Sequence, residues 1–119
     1  MSNKRTKQVL SKIITHIEHT LEYVQGHNFD SFMKDRMLQE ACVFNVLQVG
    51  ELSKVGLDDA FTTQHPEIAW HQMYGMRNRI VHDYDGLRMK IIWQTISGDF
   101  PVLKEQLQNI LSSIEDNDQ

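Results

Sequence analysis

The sequence has 119 residues, of which 40% are hydrophobic and 24% are charged, with only two prolines and a formal net charge of −4. This composition is typical of one globular domain and excludes a disordered or fibrous chain. No apolar run approaches the roughly 18–20 residues that a membrane span needs, and from the charged start MSNKRTKQ we expect no signal peptide. The single cysteine, Cys42, excludes an internal disulfide and favours a reducing compartment, so we expect a cytoplasmic protein without membrane attachment.

The first two helices are predicted from the spacing of their apolar residues. In residues 6–24 these recur every three or four positions, so one stripe of the helix faces a core. A second helix is predicted over residues 31–57, with Asp30 or Ser31 as its cap. Its middle is apolar almost all the way round, which indicates either a central helix or a subunit interface. Glycine lowers helix stability by about 1 kcal/mol relative to alanine. Its presence at position 50 therefore predicts a packing reason, the close approach of another helix.

The middle of the chain predicts a loop and two further helices. Residues 58–69 are expected to form a loop with a short helical turn. A third helix is predicted from residue 68 to residue 81 or 84, and Gly86 can take a left-handed conformation at its exit. A fourth, shorter helix is predicted over residues 88–97 from its own apolar set.

The last helix completes the predicted fold. Asp99 is its expected N-cap, and Pro101 lies in its first turn, where the missing amide does no harm. No segment alternates with a period of two, and no repeat or long linker divides the chain. We therefore predict an all-α fold in one domain spanning residues 1–119: an up-and-down four-helix bundle with a short additional helix.

Metal and cofactor chemistry finds little support in the sequence. His16 and His19 share a helix face, but two ligands do not complete a zinc site and no cysteine pair is present. There is neither a glycine-rich phosphate loop nor a GxSxG motif, so we predict no metal and no cofactor. Glu51 adjoins an apolar stretch and needs a cation or amide donors, either as a structural ion pair or as support for another residue.

The stretch RNRIVHDY, residues 77–84, is the strongest candidate site. Histidine has an unperturbed pKa of about 6.5, which suits proton transfer near neutrality. Arginine is permanently charged and pairs with phosphate oxygens. Together, Arg77 and His82 suit RNA cleavage without a metal, in which the 2′-hydroxyl attacks the adjacent phosphorus. The region 77–90 also holds four basic residues against two acidic ones, a local excess that RNA binding favours.

The spacing of this pair raises a geometric difficulty. On one straight helix, Arg77 and His82 point about 140° apart, at about 100° per residue. A long arginine side chain can wrap round, the helix can end near His82, or a second copy of the helix can complete the site. A polar, solvated helix end remains the plain alternative.

RNRIVHDY resembles the Rx4HxY motif of the HepT-like branch of the HEPN family, small helical ribonuclease toxins of bacterial and archaeal toxin–antitoxin pairs. The stretch FNVLQVGELSK is similar to that family's second helix, and MYGMRNRIVHDY is similar to its third. IIWQTISGDFPVLKEQL is similar to the family's closing segment. The resemblance covers residues 39–111 in the same order and spacing.

The resemblance implies a role for each matching residue. Arg77 and His82 match the catalytic pair, and we expect Asn78 and Asp83 to support them. Tyr84 matches a tyrosine that the partner antitoxin, a minimal nucleotidyltransferase of the MntA type, modifies by AMPylation. Members of this family are homodimers whose two motifs meet at the subunit interface.

The predicted function is therefore a metal-independent endoribonuclease toxin that cleaves RNA, such as tRNA or mRNA, and is neutralised by that antitoxin. One alternative is a non-catalytic helical subunit that binds the nucleotidyltransferase through RNRIVHDY. Another is a helical dimerisation domain in which Arg77 and His82 only pair with Asp83 or Glu51.

Overall fold

The computed structural model describes the backbone of residues 3–117 and the side chains of residues 3–114. This part of the chain is helical and contains no β-strand, so the all-α fold is confirmed. None of its helices combines the length and the apolar character that crossing a membrane requires. The outermost residues of the predicted domain 1–119 lie outside the described part, and the single-domain prediction stays a prediction.

Four long helical segments form the bundle. They are α1 (Asn3–Tyr23), α3 (Arg36–Val55), α5 (Trp70–His82) and a final rod made of α6 (Met89–Gln94), a π turn (Thr95–Asp99) and α7 (Phe100–Asn117). Short elements connect them: α2 (Phe29–Met33), α4 (Asp59–Gln64) and a 3₁₀ turn (Tyr84–Gly86). The bounds of α1 and α5 lie within three residues of those predicted, and α4 is the expected short turn.

The core is built from the apolar stripes of these helices. The predicted stripe of α1 is buried, and α3 contributes its own buried row beside it. Helix α3 packs against both α1 and α5, and α7 packs against α1. The largest fully buried apolar side chains are Leu10, Ile13, Ile17, Phe32, Ile92, Ile96, Phe100 and Leu107. Of the two alternatives predicted for this helix, a central position or a subunit interface, the packing of α3 between α1 and α5 shows the central position.

The prediction of one continuous helix over residues 31–57 was wrong. The chain forms α2, leaves the helical conformation at Asp35 and restarts as α3. The Asp35 side chain accepts a hydrogen bond from the Leu38 amide at 3.0 Å, so it caps α3. The cap of α2 is Asn28, whose side chain accepts from the amide of Ser31 at 2.9 Å. Ser31 completes that capping box, and neither it nor Asp30 is the N-cap.

The predicted left-handed conformation of Gly86 was also wrong. Among the described residues the one glycine with positive φ is Gly26, at 79°, which follows α1. Gly86 closes the 3₁₀ turn, and its amide donates to the carbonyl of Asp83 at 3.1 Å. The tight 3₁₀ turn redirects the chain after α5 without a left-handed residue.

The expected break before the last helix does not occur. Residues 89–117 form one uninterrupted rod, and Asp99 lies inside its π turn and is not an N-cap. The Phe100 amide donates to the carbonyl of Thr95, five residues earlier. Pro101 has no amide hydrogen to donate, and the widened turn before it lets the helix continue.

Candidate active site

Arg77 lies on α5 at the contact with α3, held by two partners. Its Nε donates to Glu51 Oε2 at 2.6 Å, and its Nη1 donates to Asn78 Oδ1 at 3.0 Å. The Arg77 side chain is 24% exposed and that of Glu51 is 34% exposed, so the pair lies at the surface. A guanidinium has five N–H donors, and these two bonds leave the others for a ligand. Arg77 is therefore the cation that the sequence predicted as a partner for Glu51.

Gly50 brings the two helices close together at this point. A Cβ atom at Gly50 would lie 2.6 Å from Arg77 Cβ and 2.6 Å from the carbonyl oxygen of Met73. Carbon atoms in contact normally lie about 3.5–4.0 Å apart, so no side chain fits there. The predicted close approach at Gly50 is confirmed, and it sets the position from which Arg77 reaches Glu51.

His82 is the last residue of α5, and its side chain is exposed. Within the described part of the chain, no hydrogen bond or ion pair involves its ring, and none joins it to Arg77. Of the three ways to bring the pair together, the helix end at His82 is present. Asp83 follows with φ −147° and ψ 52°, outside the helical region.

The turn after His82 exposes Tyr84. Its side chain is 49% exposed and begins the 3₁₀ turn. A Cβ at Gly86 would lie 2.7 Å from Asp83 Oδ1, so the Asp83 carboxylate packs directly over this glycine. The structure thus places Asp83 against the turn that carries Tyr84. Asn78, by contrast, contacts Arg77.

Several exposed apolar side chains lie on the side of α3 that carries Glu51 and next to Arg77 on α5. On α3, Met37 is 82% exposed, Phe44 is 54% exposed and Val55 is 65% exposed. These three and Glu51 fall on one side of the helix, within about 40° of each other at about 100° per residue. On α5, Val81 is 47% exposed and lies one turn from Arg77. Large exposed apolar side chains of this kind are candidates for an interaction surface.

Comparison with known proteins places the chain in a family. Residues 13–110 match the ribonuclease HepT-like family. The chain belongs to the ribonuclease HepT-like family. It is 34% identical over 108 residues to "Putative RNase TTE0752" of Caldanaerobacter subterraneus subsp. tengcongensis, covering 91% of this chain and 96% of that protein. It is 32% identical over 104 residues to "Probable ribonuclease HepT" of Thermococcus cleftensis, covering 87% and 94%. No solved structure gives a significant match.

Membership of this family confirms the resemblance and the enzyme class predicted from RNRIVHDY, an endoribonuclease of the HepT-like type. The matched region contains Glu51 and all of residues 77–84. The assignment of individual residues to catalysis stays a prediction, because it rests on the motif and on the geometry described above.

The other polar candidates of this HepT-like chain have structural partners. Burial raises the pKa of the Cys42 thiol to about 11, so it is a protonated core residue at neutral pH, as expected from its apolar neighbours. His16 Nδ1 donates to Asn45 Oδ1 at 2.8 Å. The side chains within the described part include no group of three or more that could hold a metal ion.

Sequence reasoning did not single out Asn45, whose side chain also donates to the Ala41 carbonyl at 2.8 Å. A lone amide inside the apolar run ACVFNVL was the available signal.

Proposed function

We propose that this protein is an endoribonuclease toxin in which Arg77 binds the scissile phosphate and His82 transfers the proton. The observation that supports this proposal best is the Arg77 guanidinium, oriented by Glu51 at 2.6 Å and Asn78 at 3.0 Å and still accessible at the surface. A guanidinium fixed in this way is preorganised for a phosphoryl group, because little side-chain freedom is lost when the phosphate binds.

The proposed reaction uses the RNA itself as nucleophile. The 2′-hydroxyl oxygen attacks the adjacent phosphorus, forming a new O–P bond while the bond to the 5′-oxygen of the next nucleotide breaks. His82 moves a proton between these oxygens, and Arg77 stabilises the negative charge that grows on the phosphoryl oxygens. The products are a 2′,3′-cyclic phosphate and a 5′-hydroxyl end. In this scheme Glu51 and Asn78 position Arg77.

Cleavage should not require a divalent metal, because neither residue role in this scheme involves one. We expect the purified protein to cut a mixed RNA at an undiminished rate in excess EDTA. Labelling of the ends should detect 5′-hydroxyl and cyclic-phosphate termini. Loss of cleavage in EDTA, restored by Mg²⁺, would contradict the metal-independent mechanism.

We further propose that two copies of the chain form the complete site. Arg77 and His82 lie five residues apart on α5, and among the described residues no hydrogen bond or ion pair joins them. The exposed apolar side chains support self-association, since Met37 and Phe44 lie on the side of α3 that carries Glu51 and Val81 lies one turn from Arg77. A two-fold contact over this face brings the two RNRIVHDY motifs near each other, so residues of both copies act on one phosphate.

Phe44→Glu should break this dimer, because a charge at the centre of an apolar interface is costly to bury. We expect light scattering to give half the wild-type mass, together with a loss of RNase activity. Val102→Glu is the matched control, because Val102 is 58% exposed on a different helix, and its mass should stay that of the wild type. A monomeric wild-type protein with full activity would rule out the composite site.

The proposed antitoxin is a minimal nucleotidyltransferase that modifies Tyr84. In this reaction the tyrosine oxygen attacks the α-phosphorus of ATP and pyrophosphate leaves. The Tyr84 hydroxyl is accessible for it, since the side chain is 49% exposed two residues after His82. Each adenylyl group adds a negative phosphate beside the catalytic pair, where it repels incoming RNA and competes for Arg77.

Tyr84→Phe should abolish inhibition by the antitoxin, while the variant still cleaves RNA. With ATP and a minimal nucleotidyltransferase of the MntA type, we expect wild-type protein to gain adenylyl mass and lose activity. Tyr84→Phe should do neither, while Tyr23→Phe, a control at another exposed tyrosine, should behave like wild type. If the wild-type protein never cuts RNA but still binds the nucleotidyltransferase through residues 77–84, it is the non-catalytic subunit instead.

A further inference from the structure

A groove of about 620 Å³ runs between α5 and the final rod. Its floor is apolar and includes Met73, Phe100 and Leu103, which belong to the hydrophobic core. Its walls carry polar side chains from both helices. This volume lies within the range of about 300–1,000 Å³ that small-molecule sites occupy, and an apolar floor with a few polar groups is typical of them.

Two glycines keep the groove open. Gly75 lines it from α5, and Gly98 lines it from the π turn of the opposite rod. A Cβ atom added at either position would meet nothing within 4 Å. Both glycines lack a positive φ, so backbone conformation does not require them there. The space they leave lies in front of the apolar floor.

The two walls offer opposite hydrogen-bonding character. Arg79 lines the groove from α5, and Asp99 lines it from the π turn. Within the described part of the chain, neither the Arg79 guanidinium nor the Asp99 carboxylate forms an ion pair or a hydrogen bond. The groove therefore presents a set of donors on one wall and an acceptor on the other.

This groove leads towards the proposed catalytic histidine. At about 100° per residue, Gly75, Arg79 and His82 fall within about 60° of each other on α5. Arg77 lies on another side of the helix, against Glu51. A nucleotide placed with its phosphate near His82 can thus extend its base along the same side of α5, past Arg79.

We propose that the groove binds a guanine base of the RNA next to the cleaved bond. Guanine has acceptors at O6 and N7, which match Arg79, and donors at N1 and N2, which match the carboxylate of Asp99. Adenine lacks the O6 acceptor and the N1 donor, and pyrimidines cover less of the apolar floor. This inference rests on the proposed RNA cleavage for its biological meaning, but base binding can be measured without cleavage.

The first experiment measures binding of guanosine 5′-monophosphate to the full-length protein by NMR, with the methyl groups of Met73 and Met76 as reporters in the groove. We expect these signals to shift with guanosine monophosphate at concentrations at least about tenfold lower than with adenosine monophosphate. Gly75→Phe fills the groove and should remove the shifts. Asn109→Phe adds the same ring at an exposed position of α7 outside the groove and should leave binding unchanged.

The second experiment tests the two walls in cleavage. RNAs that differ at single positions should be cut at least about tenfold faster with guanine at one fixed position beside the cut than with adenine. Asp99→Asn replaces part of the acceptor wall with a donor and should remove this preference. Arg79→Gln should weaken the preference as well. Glu105→Gln and Arg88→Gln make the same charge changes outside the groove and should retain it.

The two experiments separate the failure of this inference from the failure of the proposed function. A protein that cuts RNA with no base preference, and whose groove signals ignore guanosine monophosphate, overturns the guanine site and leaves the ribonuclease intact. If the protein cuts no RNA but binds guanosine monophosphate in the groove, the guanine site is supported and the proposed ribonuclease function fails. Equal shifts with all four nucleotides also overturn the assignment to guanine.

Discussion

His82→Ala should reduce the rate of RNA cleavage by about 10²–10⁴-fold, the usual contribution of a general acid or base. The fold should be unaffected, because the His82 side chain is exposed at the end of α5 and has no hydrogen bond within the described part of the chain. Surface substitutions of this kind usually change the free energy of unfolding by less than about 0.5 kcal/mol. Single-turnover cleavage and circular dichroism measure the two effects separately.

The matched control for this substitution is His71→Ala. His71 is also an exposed histidine of α5, but it lies in the first turn of the helix and at its opposite end. The His71→Ala variant should retain full RNase activity. Cleavage by His82→Ala at the wild-type rate would remove His82 from the mechanism, and equal losses in both variants would indicate a general role of histidine charge in RNA binding.

The candidate residues could be named from the sequence because they are close together in it. Arg77, Asn78 and His82 lie within six residues on one predicted helix, so local periodicity was enough to place them. The need of Glu51 for a cation followed from its apolar neighbours. The sequence offered Arg77 and His82 as possible partners of Glu51 without deciding between them. Glu51 and Arg77 are 26 positions apart in the sequence and are brought together only by the packing of α3 on α5.

The errors arose where local signals compete. DFP after a glycine predicts a helix start at Asp99, yet a π turn accommodates Pro101 and the rod continues. The apolar pattern of residues 31–57 continued across Asp35, whose capping bond to Leu38 interrupts the helix. The groove could not be predicted at all, since it depends on the distance between α5 and a rod whose continuity the sequence did not reveal.

Gly50→Ala should destabilise the protein, although alanine is the better helix former. The substitution gains up to about 1 kcal/mol in helix propensity. It also places a methyl group 2.6 Å from Arg77 Cβ and from the backbone oxygen of Met73. Backbone cannot move aside as a flexible side chain can, so α5 must shift away from α3. Overpacking of this kind costs about 1–3 kcal/mol, and we expect the cost to exceed the gain in chemical denaturation.

Gly75→Ala, on the other helix of this pair, should change the free energy of unfolding in the opposite direction. Its Cβ meets nothing within 4 Å, so only the gain in helix propensity remains, and the free energy of unfolding should rise by about 0.5–1 kcal/mol. A rise in stability for Gly50→Ala as well would show that the α3–α5 contact is loose.

The rate of RNA cleavage by Gly50→Ala tests whether the close approach of α3 and α5 at Gly50 also positions Arg77. A shift of α5 moves Arg77 relative to Glu51, and a displacement of about 1 Å at a catalytic group can cost about 10²-fold in rate. We therefore expect Gly50→Ala to cleave RNA at least about tenfold more slowly at temperatures where it is still fully folded. Normal cleavage by a destabilised Gly50→Ala would mean that Gly50 serves the packing of the bundle alone, and that the position of Arg77 does not limit the reaction.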